Sequence, residues 1–311
     1  MNPIADILVI VDPTVVDHPA VAKARMLARW LGAAIELLVC DTKASRDMRL
    51  AATLAGRRDA SHGDGLQELL DRLAEPLRLD RIEVTTHVIR GDPLHETVVS
   101  WMRNSTADLV VKDTHHHSLA KRTFITNTDW NLIRACPVPL LLTKPGRWGV
   151  PPVLMAAIDP GHADDEPAGL DHRILDVTVS LAKRIGAEVQ VVHAYSPAVI
   201  AMAGGGGLPP MMAVSAQALA AEREFRKSQI KNLADEYGIE SANQHVDEGV
   251  AIEYLPRMAA ECRADVVVMG AISRGALKRV LIGSTAERVL DTLPCDVLVV
   301  KPPNFALDLP F

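Results

Sequence analysis

The sequence predicts an α/β protein made of two copies of one open-sheet domain, and three observations carry that prediction. Short apolar runs alternate with helical stretches along the chain. The order of those segments is then written a second time. Finally, 48% of the 311 residues are apolar but only 4% are aromatic, so the cores must be built from Ala, Val, Leu and Ile. That bias suits parallel strands covered by helices on both faces. The length also points to two domains on the soft scale of about 150 residues each.

In the first copy, "IADILVIVD" (Ile4–Asp12) predicts a buried strand. An amphipathic run through Leu31 predicts a helix, and "AAIELLVCD" (Ala33–Asp41) a second strand. A polar segment with Gly56, Gly63 and Gly65 leads into a helix at about 66–79. "IEVTTHVIR" (Ile82–Arg90) alternates as a strand should, and Gly91-Asp92-Pro93 opens the next helix. "ADLVVKD" and "VPLLLTK" complete the set. Strand and helix in steady alternation mean βαβ units and a parallel sheet.

The second copy follows the same order. "VLMAAIDP" (Val153–Pro160) echoes "ILVIVDP", and "LAKRIGAEVQVVHAY" (Leu181–Tyr195) echoes "LARWLGAAIELLVCD". The stretch from Ala264 to Pro302 lies without a gap over that from Ala107 to Pro145. A repeat of this length is a domain. The glycine- and proline-bearing "GRWGVPP" reads as a boundary. The expected division is a first domain at 1–145, a linker at 146–152 and a second domain at 153–303.

Net charge is −6 with no strong basic run, which argues against nucleic acid as the partner. The N-terminal "MNPIADILVIVDP" has no charged leader region, and its apolar run is too short for a membrane span. Cys40, Cys136, Cys262 and Cys295 are scattered without a CxxC pair and read as thiols in a reducing compartment. The expectation is a cytoplasmic protein.

The chemistry concentrates near the end of the second copy, in "MGAISRGALKRVLIGSTAERVL" (Met269–Leu290). A strand ending at Met269 is followed by a glycine-bearing basic loop, and Gly283-Ser284-Thr285 opens a helix. Glycine lets backbone approach a ligand closely, and the free N–H groups of a helix start attract phosphate. Glycine after a strand and serine at a helix start are also common in proteins that bind nothing.

At this point the chain resembles the universal stress protein family, over nearly its whole length. That family's phosphate loop reads glycine, two residues, glycine, nine residues, glycine, then Ser or Thr. Gly270, Gly283 and Ser284 match it, while Ser273 replaces the second glycine. Asp159 matches the family's adenine-side aspartate, Ala157 stands where a proline often precedes it, and Ala194 is the small residue closing the second strand. "THHHS" and "NTDWNLIRACPVPLLL" look like the first domain of the tandem, E-type subgroup. The resemblance implies an adenine nucleotide alpha-hydrolase-like fold, with strand order 3-2-1-4-5 in each half. It also implies that the apolar edges "VPLLLTK" and "CDVLVVK" pair antiparallel, forming an intramolecular pseudo-dimer. A nucleotide, ATP or a relative, is then expected against Asp159, Ala194, Met269, Gly270, Ser273, Gly283, Ser284 and Thr285.

The first copy carries "KDTHHHSLAKR" (Lys112–Arg122) in place of that loop. Asp113 stands for Gly270, His116 for Ser273, Thr126 for Gly283 and Asn127 for Ser284. Added Cβ atoms close the approach and Asp113 adds a repelling charge, so nucleotide binding is expected to be lost there. The triplet also raises zinc. Neighbouring side chains in an extended loop point apart, so His115 and His117 are the pair able to share an ion. Zinc takes about four ligands, and the only helpers are the distant Asp12, Asp113 and His95. A polar loop whose imidazoles cap helix ends and pair with Asp129 is the plainer reading.

Elsewhere, Asp12-Pro13 and Asp159-Pro160 read either as turn residues or as ligand contacts at the sheet's carboxyl edge. Asp164-Asp165-Glu166 reads as a solvated loop. The Met- and Gly-rich insert 198–216 reads as a surface loop, or as a lid over an apolar ligand. No nucleophile has a base and an orienting acid at interpretable spacing. The expected function is a non-catalytic stress-response protein whose second domain binds a nucleotide, ATP foremost, or another phosphate-bearing ligand. Two alternatives stay open: a sensor or carrier of a nucleotide-linked acylated metabolite, and a weak nucleotide hydrolase. The expected partner is a small nucleotide-type ligand, with a homodimer of the tandem chain left open.

Overall fold

The computed structural model describes residues 4–54, 65–117, 122–124, 126–160, 168–195, 216–271 and 289–302. Ser273, Gly283, Ser284, Thr285, the run Asp164-Asp165-Glu166 and nearly all of the insert 198–216 lie outside the described residues, as do the side chains of His115 and His117.

The first half runs β1 (Asp6–Val11), α1 (Pro19–Leu31), β2 (Ala34–Asp41), α2 (Lys43–Leu54), α3 (Gly65–Leu79), β3 (Val84–Arg90), α4 (Leu94–Met102), β4 (Leu109–Asp113), β5 (His115–His117), β6 (Arg122–Phe124), α5 (Asn127–Ala135) and β7 (Leu140–Thr143). The second runs β8 (Val153–Ala157), α6 (Ala168–Ile185), β9 (Glu188–Tyr195), α7 (Ala216–Glu236), β10 (Gln244–Glu248), α8 (Ala251–Glu261), β11 (Val266–Gly270) and β12 (Asp296–Val300). Residues 289–292, before β12, are helical.

Local chemistry sets the element ends. Helix α1 starts with a proline, whose fixed φ and missing N–H suit the first helical position. It stops at Gly32 in the left-handed conformation, φ +70°, whose N–H returns to Ala28 O. Helix α2 and the β5–β6 ribbon are two elements that the sequence reading did not foresee. Helix α2 is polar enough to pass for a loop. In the ribbon His115 pairs with Phe124 and His117 with Arg122, so the triplet is a short strand and not the expected loop.

The large sheet has the order β10-β9-β8-β11-β12-β7-β4-β1-β2-β3. Each half therefore shows the expected 3-2-1-4-5 order. Strands β7 and β12 pair antiparallel at the centre, with Val297 opposite Leu142, Leu298 opposite Leu141 and Val299 opposite Leu140. Pairing the two apolar edges with each other removes two templates for aggregation. Alternation along β1 sends Ile7, Val9 and Val11 into the layer under α1, α3 and α6. Leu8 and Ile10 go to the opposite layer, with α4, α5 and α8. Both apolar layers continue across the β7–β12 seam, so the halves share a core.

Within 146–152, Trp148 and Pro152 turn inward while the remaining residues are exposed. Trp148 is 7% exposed and stacks on Trp30 with ring centroids 6.3 Å apart. Its indole N–H donates to Asp296 Oδ2 at 2.7 Å, and the Lys144 backbone N–H donates to Asp296 Oδ1 at 2.8 Å. Lys23 completes the group with a buried ion pair to Asp296. Burial pushes the Asp296 carboxyl up, while Lys23 opposes that shift. Removing one partner of such a pair would strand a buried charge. Cys40 and Cys136 are buried, Cys262 and Cys295 are half-buried, and all four are free.

Candidate functional site

In a sheet ordered 3-2-1-4-5, the connections leave the first and fourth strands in opposite directions. A crevice opens at the carboxyl ends of those strands. In the second half they are β8 and β11, with Val268 opposite Ala156 in register. Ile158 and Asp159 continue from β8 beside Met269 and Gly270.

The Asp159 backbone N–H donates to Asp171 Oδ1 in the first turn of α6 at 3.0 Å. Its carboxylate is 57% exposed, with Oδ1 lying 3.8 Å from His193 Nδ1. That nitrogen also lies 3.0 Å from the Ile158 carbonyl. A carbonyl only accepts, so Nδ1 carries the proton and orients the imidazole. His193 is buried and stacks on Tyr195 at 6.2 Å. Ala194, between them, faces the other side of the sheet, level with Asp247 of β10. Asp247 lies 3.9 Å from the Arg223 guanidinium and 4.0 Å from that of Arg257. Sequence reading missed this acid with its two arginines, because α7, α8 and β10 supply one residue each.

Met269 is buried, and Gly270 ends β11 opposite Val300. A Cβ built on Gly270 would lie 2.4 Å from Leu170 Cδ2 and 2.7 Å from its Cγ. The glycine is thus required by close packing of α6 on the strand, a demand that the phosphate-loop reading had not included. Asp159, Ala194, Met269 and Gly270 come together along one carboxyl edge, and Leu170 and Asp171 join them from α6.

The same edge of the first half is filled by its own side chains. Asp113 Oδ1 accepts from the Ala20 backbone N–H at 2.6 Å, in the first turn of α1, and from Thr143 Oγ1 at 2.8 Å. Burial pushes its carboxyl up to about 6, and these two hydrogen bonds oppose the rise. Thr126 caps α5: its backbone N–H and hydroxyl donate to Asp129 Oδ2 at 2.8 and 2.9 Å, and its hydroxyl accepts from the Asp129 N–H. Lys112 Nζ meets Asp129 Oδ1 at 2.7 Å. Asp113 therefore does more than repel an anion: it occupies a helix start as an internal one.

The helpers considered for zinc are engaged elsewhere. Asp12 accepts from Thr14, Asp113 is held as above, and His95 faces Glu96 at 3.9 Å. Among the described residues, no group of three or more His, Cys, Asp or Glu side chains is placed to hold a metal ion. No helix among them is long and apolar enough to cross a membrane.

Comparison with known proteins agrees with this architecture. The universal stress protein family model matches residues 4–144 and again 163–301. Universal stress protein E of Escherichia coli K12 is 27% identical over 307 residues, covering 96% of this chain and 95% of that protein. The Haemophilus influenzae universal stress protein E homolog is 29% identical over 245 residues, covering 78% and 76%. A solved structure from Pseudomonas aeruginosa UCBPP-PA14, described as a universal stress protein, superposes with a TM-score of 0.73. It has 30% identity over 96% of this chain and 94% of that one.

Proposed function

This chain belongs to the universal stress protein family, and from that premise we propose that it acts without catalysis, binding one nucleotide, ATP or a close relative, through its second half. In this reading 1–145 and 153–303 are the two domains, and only the second keeps a ligand site.

The observation that carries the proposal is the difference between the two carboxyl edges. The first half places the Asp113 carboxylate at the start of α1 and closes the start of α5 with the Thr126–Asp129 box. The second half has Gly270 in place of Asp113 and, in sequence, Gly283-Ser284 in place of Thr126-Asn127. Phosphates would be held by the helix-start N–H groups near Ser284 and Thr285, with Gly283 allowing close approach. Ser273 would lie along the loop between them. The exposed Asp159 carboxylate would accept from an exocyclic amino group of the base, and His193 would hold that corner rigid. Ala194 and Met269 would supply the apolar floor.

Among the described residues of this arrangement we assign none to activating water, and hydrolysis is not part of the proposal. A carrier of a nucleotide-linked acyl group is the second reading. It is favoured by the apolar side chain of Leu170 packed against Gly270.

Calorimetric titration of the full chain with ATP tests the proposal, supported by native mass spectrometry of freshly purified protein. One ATP per chain, without turnover, is expected. Two per chain, or none, would overturn the assignment to the second half alone. A co-purified mass heavier than a nucleotide would move the reading to the carrier.

A further inference from the structure

The large sheet has two outer strands, β3 and β10, and their edges differ in chemistry. Strand β10 is five residues long and ends in Asp247 and Glu248, with Arg223 and Arg257 beside Asp247. Charge of this kind discourages a sheet edge from pairing with another chain. Strand β3 is longer, pairing with β2 from Val84 to Arg90, and its run Val-Thr-Thr-His-Val-Ile holds no Asp, Glu, Lys, Arg or Pro. The register settles which of its backbone groups face outward. The Ile35 N–H donates to the Glu83 carbonyl at 2.9 Å, so Glu83, Thr85, His87 and Ile89 turn toward β2. Val84, Thr86 and Val88 therefore aim their N–H and C=O groups away from the sheet, and among the described residues no strand lies beyond β3 to receive them.

Two exposed apolar side chains flank this row of groups. Val88, 41% exposed, stands near the carboxyl end of β3, and Leu79, 78% exposed, closes α3 just before the strand's amino end. Val84, Thr86 and Val88 share the sheet face that α3 covers, since Gln67 of α3 donates to Thr86 Oγ1 at 3.0 Å. We propose that the β3 edge is the surface through which two copies of this chain associate, their β3 strands running antiparallel about a two-fold axis at Thr86. Thr86 then meets its own counterpart, and Val88 of each copy meets Val84 of the other, beside Leu79. On the far face Thr85 lies opposite His87, so along the whole run no Asp, Glu, Lys or Arg is opposed by another. Antiparallel pairing is what brings the two apolar ends together; parallel pairing would leave Leu79 apart from Val88. The same device joins the halves within one chain, where the apolar edges β7 and β12 pair antiparallel. A two-fold contact of this kind is self-complementary and closes. The outer edges of the joined sheet are then the two charged β10 strands, so association stops at two copies.

Sedimentation velocity on the full chain tests this, in samples free of nucleotide so that the outcome does not depend on the ligand reading above. Each variant is first shown to be folded by circular dichroism and thermal unfolding. The wild type is expected to be a dimer at about 10 µM. Val88→Pro removes an outward N–H and no bond to β2, and a sheet edge accepts proline at such a position. Each dimer then loses two hydrogen bonds, so the dissociation constant should rise about tenfold or more. Val88→Lys leaves the backbone intact and puts a charge on the edge, and it should weaken the dimer to a similar degree. Val246→Pro is the control on the opposite edge. The Gly249 N–H donates to the Tyr195 carbonyl, so by the same alternation Val246 faces outward from β10. That variant should stay within about twofold of the wild type. A wild type that remains monomeric at about 100 µM would overturn the proposal. So would a dimer unaffected by both Val88 variants, or one that Val246→Pro weakens as much as they do.

Discussion

Asp113 and Gly270 end the fourth strand of their respective halves, and each meets the beginning of the helix that follows the first strand. In the first half a carboxylate reaches that helix and accepts from the Ala20 N–H. In the second half the helix sends Leu170 down onto the glycine, leaving no room for a side chain. One fold position is closed by polar capping in one copy and by apolar packing in the other. The contrast teaches that a glycine at such a place is not by itself a mark of ligand binding. Its functional meaning depends on the second glycine cluster further along.

The largest effect is therefore expected at that second cluster. A carboxylate at Gly283 would set a charge about 4 Å from bound phosphate, worth roughly 4 kcal/mol at an effective dielectric near 20, or about a thousandfold in affinity. Gly283→Asp should abolish ATP binding by the whole chain in calorimetry. The counterpart, Thr126→Asp, is not silent in this structure. It would bring a second carboxylate against Asp129, which is fully buried. We expect it to cost about 1–3 kcal/mol of stability, because the hydroxyl that donates to Asp129 Oδ2 is replaced by a like charge, and to leave ATP affinity alone. Lost affinity in Thr126→Asp, in a sample shown to be folded, would break the contrast between the halves.

Where the halves match, the comparison can be sharpened with pH. Lys301 is pushed down to about 8 by burial, against about 10.4 in an unfolded chain. A folded value below the unfolded one means a contribution that is present above about 10.4 and lost as pH falls through about 8. Relative to Lys301→Met, the wild type should gain at most about 3 kcal/mol between pH 8 and 10. Urea midpoints for both proteins across that range would show it, and a pH-independent difference would mean that the amine titrates as if exposed.

A smaller effect separates the two demands on Gly270. Gly270→Ala should cost about 2 kcal/mol by overpacking against Leu170. Combined with Leu170→Ala, the pair should cost clearly less than the sum of the single changes. If ATP affinity recovers along with packing in the double variant, the glycine serves the helix. Affinity that stays low would assign it to the phosphates as well.

Much of the fold was legible because its signals are local or repeated. Apolar runs such as "ILVIVD" and "VLMAAID" declare buried parallel strands, and the ungapped match of Ala107–Pro145 to Ala264–Pro302 declares the repeat. The β7–β12 seam was legible only through family resemblance, since two apolar edges do not name each other. Helix α2 was missed because a polar surface helix lacks a distinctive pattern, and the β5–β6 ribbon because three histidines carry no period. Asp159, Ala194, Met269 and Gly270 lie at strand ends along one edge, and the sequence reading reached them through the family resemblance. The contacts of Leu170, Asp171, Arg223 and Arg257 were not legible, because each joins residues ten to a hundred positions apart. The burial of Trp148 has the same origin: a Gly- and Pro-bearing segment reads as an exposed link until its indole is seen donating to Asp296.

The smallest expected effect falls on Asp113 itself. Its Oδ1 accepts from the Ala20 N–H at 2.6 Å and from Thr143 Oγ1 at 2.8 Å, so the side chain works as a remote cap for α1. Asparagine keeps an acceptor at that atom, and Asp113→Asn should stay within about 1 kcal/mol of wild type in thermal or urea unfolding. Glycine removes the acceptor and strands the helix-start N–H, so Asp113→Gly should lose about 1–2 kcal/mol. Neither change should give the first half a nucleotide, because the Thr126–Asp129 box still closes the start of α5. Titration of Asp113→Gly with ATP should therefore still reach one ligand per chain. A second equivalent would mean that this single carboxylate is all that separates the two halves in function.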